Sequence, residues 1–177
     1  QVETFDPATI DRELGWAADL GMNVIRVYLH DLVFSSDGAA FLDRLDQVLS
    51  IADAHGIAMI PVLFDGVWHP EPRLGRQPEP APRLHNSIWL QSPGRIVLDD
   101  PTRWHALGPY VFEVLSRFGD DRRVIAWDLF NEPDQIDRLT LMSGSRQGKS
   151  DAATALLETV FDWARSVDPS QPLTAGI

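Results

Sequence analysis

The chain has 177 residues, 44% of them hydrophobic, with 26 acidic against 15 basic side chains and a formal charge of −11. That length and composition suit one globular domain with its own core and exclude a disordered chain. The acidic balance argues against a nucleic-acid or anionic-membrane partner, and the absence of cysteine removes disulfides, thiolate metal sites and cysteine nucleophiles.

The first element predicted is a helix in "FDPATIDRELGWAADLG", with Asp6 as cap, Pro7 at the first helical position and Gly21 as the stop. Ile10, Leu14 and Ala17 recur on its inward face. "MNVIRVYL" follows as a strand. "AAFLDRLDQVLSIADAHG" repeats the scheme, with Phe41, Leu45, Val48 and Ala52 on one face and Gly56 closing it; "IAMIPVLF" is the next strand. A third helix is expected from Asp100 and Pro101 to about Phe118, then the strand "VIAWDLF". A fourth runs from about Ser150 to Val167, before a last strand in "PLTAGI". Trp16, Trp104 and Trp163 fall on helices, where core packing is their expected role.

Helix then strand, four times, with strands too apolar to have a solvated face, predicts a buried parallel sheet. A doubly wound open sheet and a (β/α) barrel both satisfy that pattern. No Gly-rich phosphate loop follows any strand, which disfavours a dinucleotide fold. Polar residues cluster instead behind the strands: His30 and Asp31, Asp65 with Trp68, and Asn131 with Glu132. Active sites of barrels lie at those strand ends, so the barrel is the better reading. A full barrel has eight strands and typically ~250 residues, whereas four strands are predicted here.

Two stretches stand out between and after the strands. Segment 65–100 is long for a connection inside a compact domain, and such loops are often functional. Within it, "DGVWHPEPRLG" and "HNSIWLQSPG" suit an ordered loop framing a polar ligand, and "RQPEPAPR" reads as an extended, exposed spacer. "WDLFNEPD" ends an apolar run on an amide and a carboxylate side by side. Neighbouring strand residues point to opposite faces, so both reach one pocket only where the strand stops. Pro133 is expected to bias Glu132 toward extended backbone.

These motifs carry a resemblance. "NVIRVYLHD", "PVLFDGVW" and "VIAWDLFNEPD", with "TFDPATIDRELGWAADLGMN" and "HNSIWLQSPG", resemble the retaining (β/α)8-barrel glycoside hydrolases of the clan that includes family 5 cellulases and mannanases. The resemblance covers nearly all of the chain and implies an incomplete TIM barrel over residues 1–177, roughly strands two to five with their helices. It implies Glu132 as the general acid/base, Asn131 as the residue bonded to the sugar 2-hydroxyl, and Arg26 as the organiser of the nucleophile. That nucleophile belongs to strand seven in the family and matches no residue of this sequence. The chain departs from the family at strand three, where a histidine often stands and Phe64-Asp65 stands here.

Retaining hydrolysis needs two carboxyl groups ~5–5.5 Å apart, one protonated and one ionised, which is the chemistry expected at Glu132. Arg26 in an apolar strand needs a carboxylate partner, for which Asp128 and Glu132 are candidates. His30, Asp31 and Asp65 are candidate substrate contacts. Trp68 and Trp89 offer flat faces for sugar rings, and Asn86 and Gln91 offer hydroxyl partners. The histidines His30, His55, His69, His85 and His105 form no helical ligand pair, and the chemistry requires no cofactor or metal. The partner expected is a β-linked oligo- or polysaccharide. A non-catalytic carbohydrate-binding half-barrel suits the same residues. Exposed barrel edges predict self-association. No apolar run approaches membrane-spanning length, and the chain opens on Gln1 without a signal-peptide pattern, which leaves the compartment open.

Overall fold

The computed structural model describes residues 4–77, 79–83, 87–135 and 146–176. In chain order the elements are α1 (Pro7–Asp19), β1 (Val24–Tyr28), α2 (Asp31–Ser36), α3 (Gly38–Ala54), β2 (Ala58–Asp65), α4 (Arg95–Leu98), a 3-10 turn (Pro101–Ala106), α5 (Gly108–Phe118), β3 (Trp127–Asn131), α6 (Arg146–Val167) and β4 (Leu173–Gly176).

The helix starts follow their capping chemistry. Asp6 accepts from Ala8 N at 3.1 Å with Pro7 just inside α1, and Asp37 accepts from Ala40 N at 3.0 Å at α3. The short α2, capped by His30 Nδ1 on Leu32 N at 3.2 Å, has no counterpart among the predicted elements. The single helix expected from Asp100 to Phe118 is broken in two. Pro109 has no N–H to bond back into the preceding turn, so the 3-10 turn does not run on through it and the chain restarts as α5, with Gly108 and Pro109 in the first turn, where a missing donor costs nothing. Trp16 is not a core residue: it is 58% exposed, with the Arg12 guanidinium 5.4 Å from its ring. It lies about 200° around α1 from Leu14, well off the inward stripe. Trp104 is buried and donates to Val97 O at 3.0 Å, and Trp163 packs against the core.

The four strands are all parallel and lie in the order β1-β2-β3-β4. A doubly wound sheet reverses its strand order at a switch point, and this one does not. Successive right-handed crossovers in unbroken order place the helices on one side of the sheet, as in a barrel wall. The fold is α/β, an incomplete (β/α)8 barrel.

The core lies between this wall and its helices. Leu49, Leu63, Phe64, Val111, Val114, Trp127 and Leu156 are all at or below 1% exposure. Each such side chain contributes about 1.5–3 kcal/mol by leaving water. Tyr110 sits among Phe34, Phe41 and Phe64 and donates its hydroxyl to Leu63 O at 2.9 Å, which satisfies the one polar atom that this aromatic cluster brings inside. No helix among the described residues is long and apolar enough to cross a membrane.

The loop after β2 folds back on the strand it leaves. Asp65 and Ser92 exchange backbone hydrogen bonds at 2.6 and 2.9 Å, and His69 N donates to Trp89 O at 2.9 Å. This return brings Trp89 to the ends of β1 and β2.

Candidate active site

The strand ends converge on one polar network. Arg26 on β1 donates through Nε to Asp128 Oδ2 on β3 at 3.0 Å, and its Nη2 makes a second, shorter bond to the same oxygen. Nη2 also reaches Asn131 Oδ1 at 2.8 Å, and Nη1 donates to the Tyr28 hydroxyl at 2.7 Å. The other end of the Asn131 amide donates to Asp65 Oδ1 at 2.9 Å. Asp65 further accepts from Val67 N at 3.2 Å and from the Trp89 indole N–H. Trp89 packs edge-on against Tyr28, ring centroids 4.9 Å apart, so six side chains from three strands and the returning loop hold one another.

Strict alternation would send Asp128 and Asn131 to opposite faces of β3, yet both meet Arg26. The reconciliation is a register shift against β4: Asp128 pairs with Thr174 and Asn131 with Gly176, three residues opposite two. Against β2 the register runs unbroken, with Val62 opposite Asp128 and Asp65 opposite Asn131, so the end of β2 turns together with β3 and brings Asp65 to the Asn131 amide.

Glu132 follows, exposed, with its N–H on Gly176 O at 2.7 Å. Its backbone is left-handed, φ +43°, which corrects the extended geometry expected from Pro133. The cause is tertiary. Gly66 N holds Asn131 O at 2.8 Å, and the Gly66 backbone lies so close that a Cβ there would sit 2.0 Å from Glu132 O. Pinned on one side by β4 and on the other by the end of β2, the chain turns at Glu132 despite the local preference of a residue before proline.

The other candidates separate into those at the cleft and those beneath it. A cleft of about 780 Å³ is lined by Arg26, Tyr28, His30, Asp65, Trp89 and residues of the 73–80 segment. His30 lines it while capping α2, and its Nε2 is buried without a hydrogen-bond partner among the described residues. Asp31 is buried and accepts from Ser92 Oγ at 2.7 Å, an anchor between the start of α2 and the loop rather than a surface group. Gln91 is fully buried, its Nε2 directed at Trp68 O at 3.4 Å. Trp68 is 36% exposed and lies outside the cleft lining. Asn86 lies outside the described residues. Gly66, Gly176, Tyr28 and Ser92 escaped the sequence reading; only their long-range neighbours reveal them.

The network's electrostatics tie its members together. Burial raises the Asp65 carboxyl above the usual aspartate range, against the bonds from Asn131, Trp89 and Val67, and the charge of Glu132 raises it further. Burial likewise raises the Tyr28 hydroxyl, opposed by Arg26 and reinforced by Asp65, Asp128 and Glu132. For Arg26 burial works against the charge, but the Asp128 bonds and charge outweigh it and the guanidinium is held more firmly protonated. Asp65 and Tyr28 both feel the charge of Glu132, although Glu132 itself is exposed and is not among the residues that line the cleft. Among the described residues no cluster of three or more histidine, aspartate or glutamate side chains is placed to hold a metal ion.

No family model matches the chain, and no curated protein does. Solved structures do. The endo-1,4-beta-mannanase from Rhizomucor miehei superposes with a TM-score of 0.66 over 98% of this chain and 53% of that one, at 16% identity. The virulence factor SghA from Agrobacterium tumefaciens gives 0.65 over 94% and 36%, at 17% identity. GH5_18 from Streptomyces cattleya, solved with GlcNAc, gives 0.62 over 97% and 40%, at 18% identity. The chain spans about half or less of the length of these structures, and what it shares with them is the fold of part of a barrel.

Proposed function

We propose that the chain carries the acid/base half of a retaining glycosidase site, acting on a β-linked oligo- or polysaccharide by double displacement. The observation behind this reading is a solvent-facing Glu132 at the C-terminal end of a barrel strand, beside an Asn131 whose amide is clamped by Arg26 and Asp65. Glu132 protonates the leaving oxygen, then takes a proton from the attacking water. Asn131 keeps its second Nδ2–H for a sugar hydroxyl. Arg26 is 36% exposed on its open side and so retains a surface for an anionic partner, in this reading the nucleophile, which no residue of this chain supplies. Trp89 lines the cleft. The glycoside-acting neighbours share this fold, which supports the reading by analogy.

The test is Glu132→Gln in the polypeptide encoded by the complete reading frame, assayed on aryl β-glycosides. A loss of about 10²–10⁴-fold is expected, growing as the leaving group becomes more basic. The 177-residue chain by itself is expected to be inactive. Turnover by that chain, untouched by Glu132→Gln, overturns the proposal.

Self-association belongs to the same proposal. β1 and β4 are the outer strands of the sheet, and Val24 on β1 is 39% exposed. Concentration-dependent association in sedimentation is expected; a monomer at high concentration that melts cooperatively counts against it.

A further inference from the structure

We propose that Lys149 is a positioning residue for Glu132, an inference that rests on the glycosidase reading above. Lys149 is fully buried. It continues the inward stripe of α6, where Ala153, Leu156, Val160 and Ala164 are also at 0% exposure, so its position is one that ordinarily takes an apolar side chain. It also stands in the first turn of a helix that begins at Arg146, the end at which the macrodipole disfavours a cation. A buried ammonium is costly unless well bonded. Both helix and core therefore select against lysine here, and what its Nζ touches accounts for its presence.

Nζ donates to Gly66 O at 3.0 Å and also to Gln135 O. These two carbonyls bracket the turn that carries Glu132. Gln135 N closes that turn on Glu132 O at 3.1 Å, and Gly66 is the residue whose backbone is pressed against Glu132 O. Lys149 thus ties the end of β2 to the far side of the turn. In doing so it fixes the left-handed backbone from which the Glu132 carboxyl projects. Removing it leaves Glu132 chemically unchanged but frees the turn to relax toward the extended geometry that Pro133 prefers.

The test is Lys149→Met, which has nearly the same length and suits the apolar stripe. By NMR on the 177-residue chain, the three-bond HN–Hα coupling and the Cα shift of Glu132 are expected to move from left-handed toward extended values, with α6 still helical. In the complete reading frame, kcat on aryl β-glycosides is expected to fall roughly 10- to 100-fold with KM unchanged. A folded Lys149→Met chain with Glu132 signals at their wild-type positions overturns the proposal. If methionine prevents folding, Lys149→Gln serves under the same criterion. If that fails too, the wild type decides, because couplings across the hydrogen bonds from Nζ to the Gly66 and Gln135 carbonyls must then be present. Movement of the Glu132 signals in a protein that turns over no glycoside in any form would sink the enzymatic reading while leaving Lys149 as the brace of the turn.

Discussion

Arg26 and Asp128, 102 residues apart in sequence, meet across β2 through two hydrogen bonds to a single carboxylate oxygen. The other oxygen, Asp128 Oδ1, is buried and has no hydrogen-bond partner among the described residues. Asp128 therefore depends on Arg26 for its charge compensation, while Arg26 has further partners in Asn131 and Tyr28.

That asymmetry predicts unequal mutational costs. Arg26→Met strands a buried carboxylate and is expected to cost about 3 kcal/mol in urea unfolding, the low end for a broken buried pair because Arg26 is partly exposed. The double variant Arg26→Met/Asp128→Leu removes the stranded charge and is expected to recover much of that loss. Equal stabilities for the single and double variants would show that the ion pair is not what holds β1 to β3.

Gly66 is expected to be the least replaceable glycine of the site. A Cβ there meets a backbone oxygen at 2.0 Å, which no rotamer change can relieve, so Gly66→Ala must displace the Glu132 turn. Loss of at least about 3 kcal/mol is expected, the upper end of overpacking penalties. Gly15→Ala is the matched contrast, because its Cβ meets only the His55 ring at 3.3 Å and lies inside α1, where alanine favours helix over glycine. In thermal melts Gly66→Ala should lose far more stability than Gly15→Ala, whose Cβ needs only a few tenths of an ångström from the His55 ring, and a Gly66→Ala chain melting with the wild type would refute the close approach.

These residues also show what the sequence could and could not disclose. The alternation of helix and strand was legible because each strand is apolar and each helix carries caps. The pair Asn131-Glu132 stood out because polar residues ending an apolar run have few structural uses. The register shift against β4, by contrast, sets Asn131 opposite Gly176, 45 positions away in number and invisible to any local pattern. The left-handed Glu132 contradicts its local signal outright, since Pro133 argues for extended backbone and tertiary bonds to Gly66 and Gly176 win. Trp89 looked like a sugar platform by type alone; that its indole N–H is held by Asp65 follows from a loop return no propensity encodes. Lys149 was legible in principle, as the polar member of an apolar stripe on α6.

The bond between Trp89 and Asp65 makes the indole N–H a reporter of the carboxyl's titration. Asp65 is raised above 3.8 by burial, with Glu132 adding to the shift, so the Trp89 indole resonance is expected to titrate with a midpoint above that value. The sign for stability follows. A carboxyl whose pKa is higher in the folded than in the unfolded chain binds its proton more tightly when folded. Its contribution is full below pH 3.8 and is lost as pH rises through the folded value. The stability difference between wild type and Asp65→Asn should therefore be most favourable to wild type at low pH and decline as pH rises. Glu132→Gln removes the neighbouring negative charge and should move the Trp89 midpoint down toward 3.8 without abolishing the titration. A midpoint that Glu132→Gln leaves in place would separate the two carboxyls electrostatically, and with them the clamp at Asn131 from the acid it is proposed to serve.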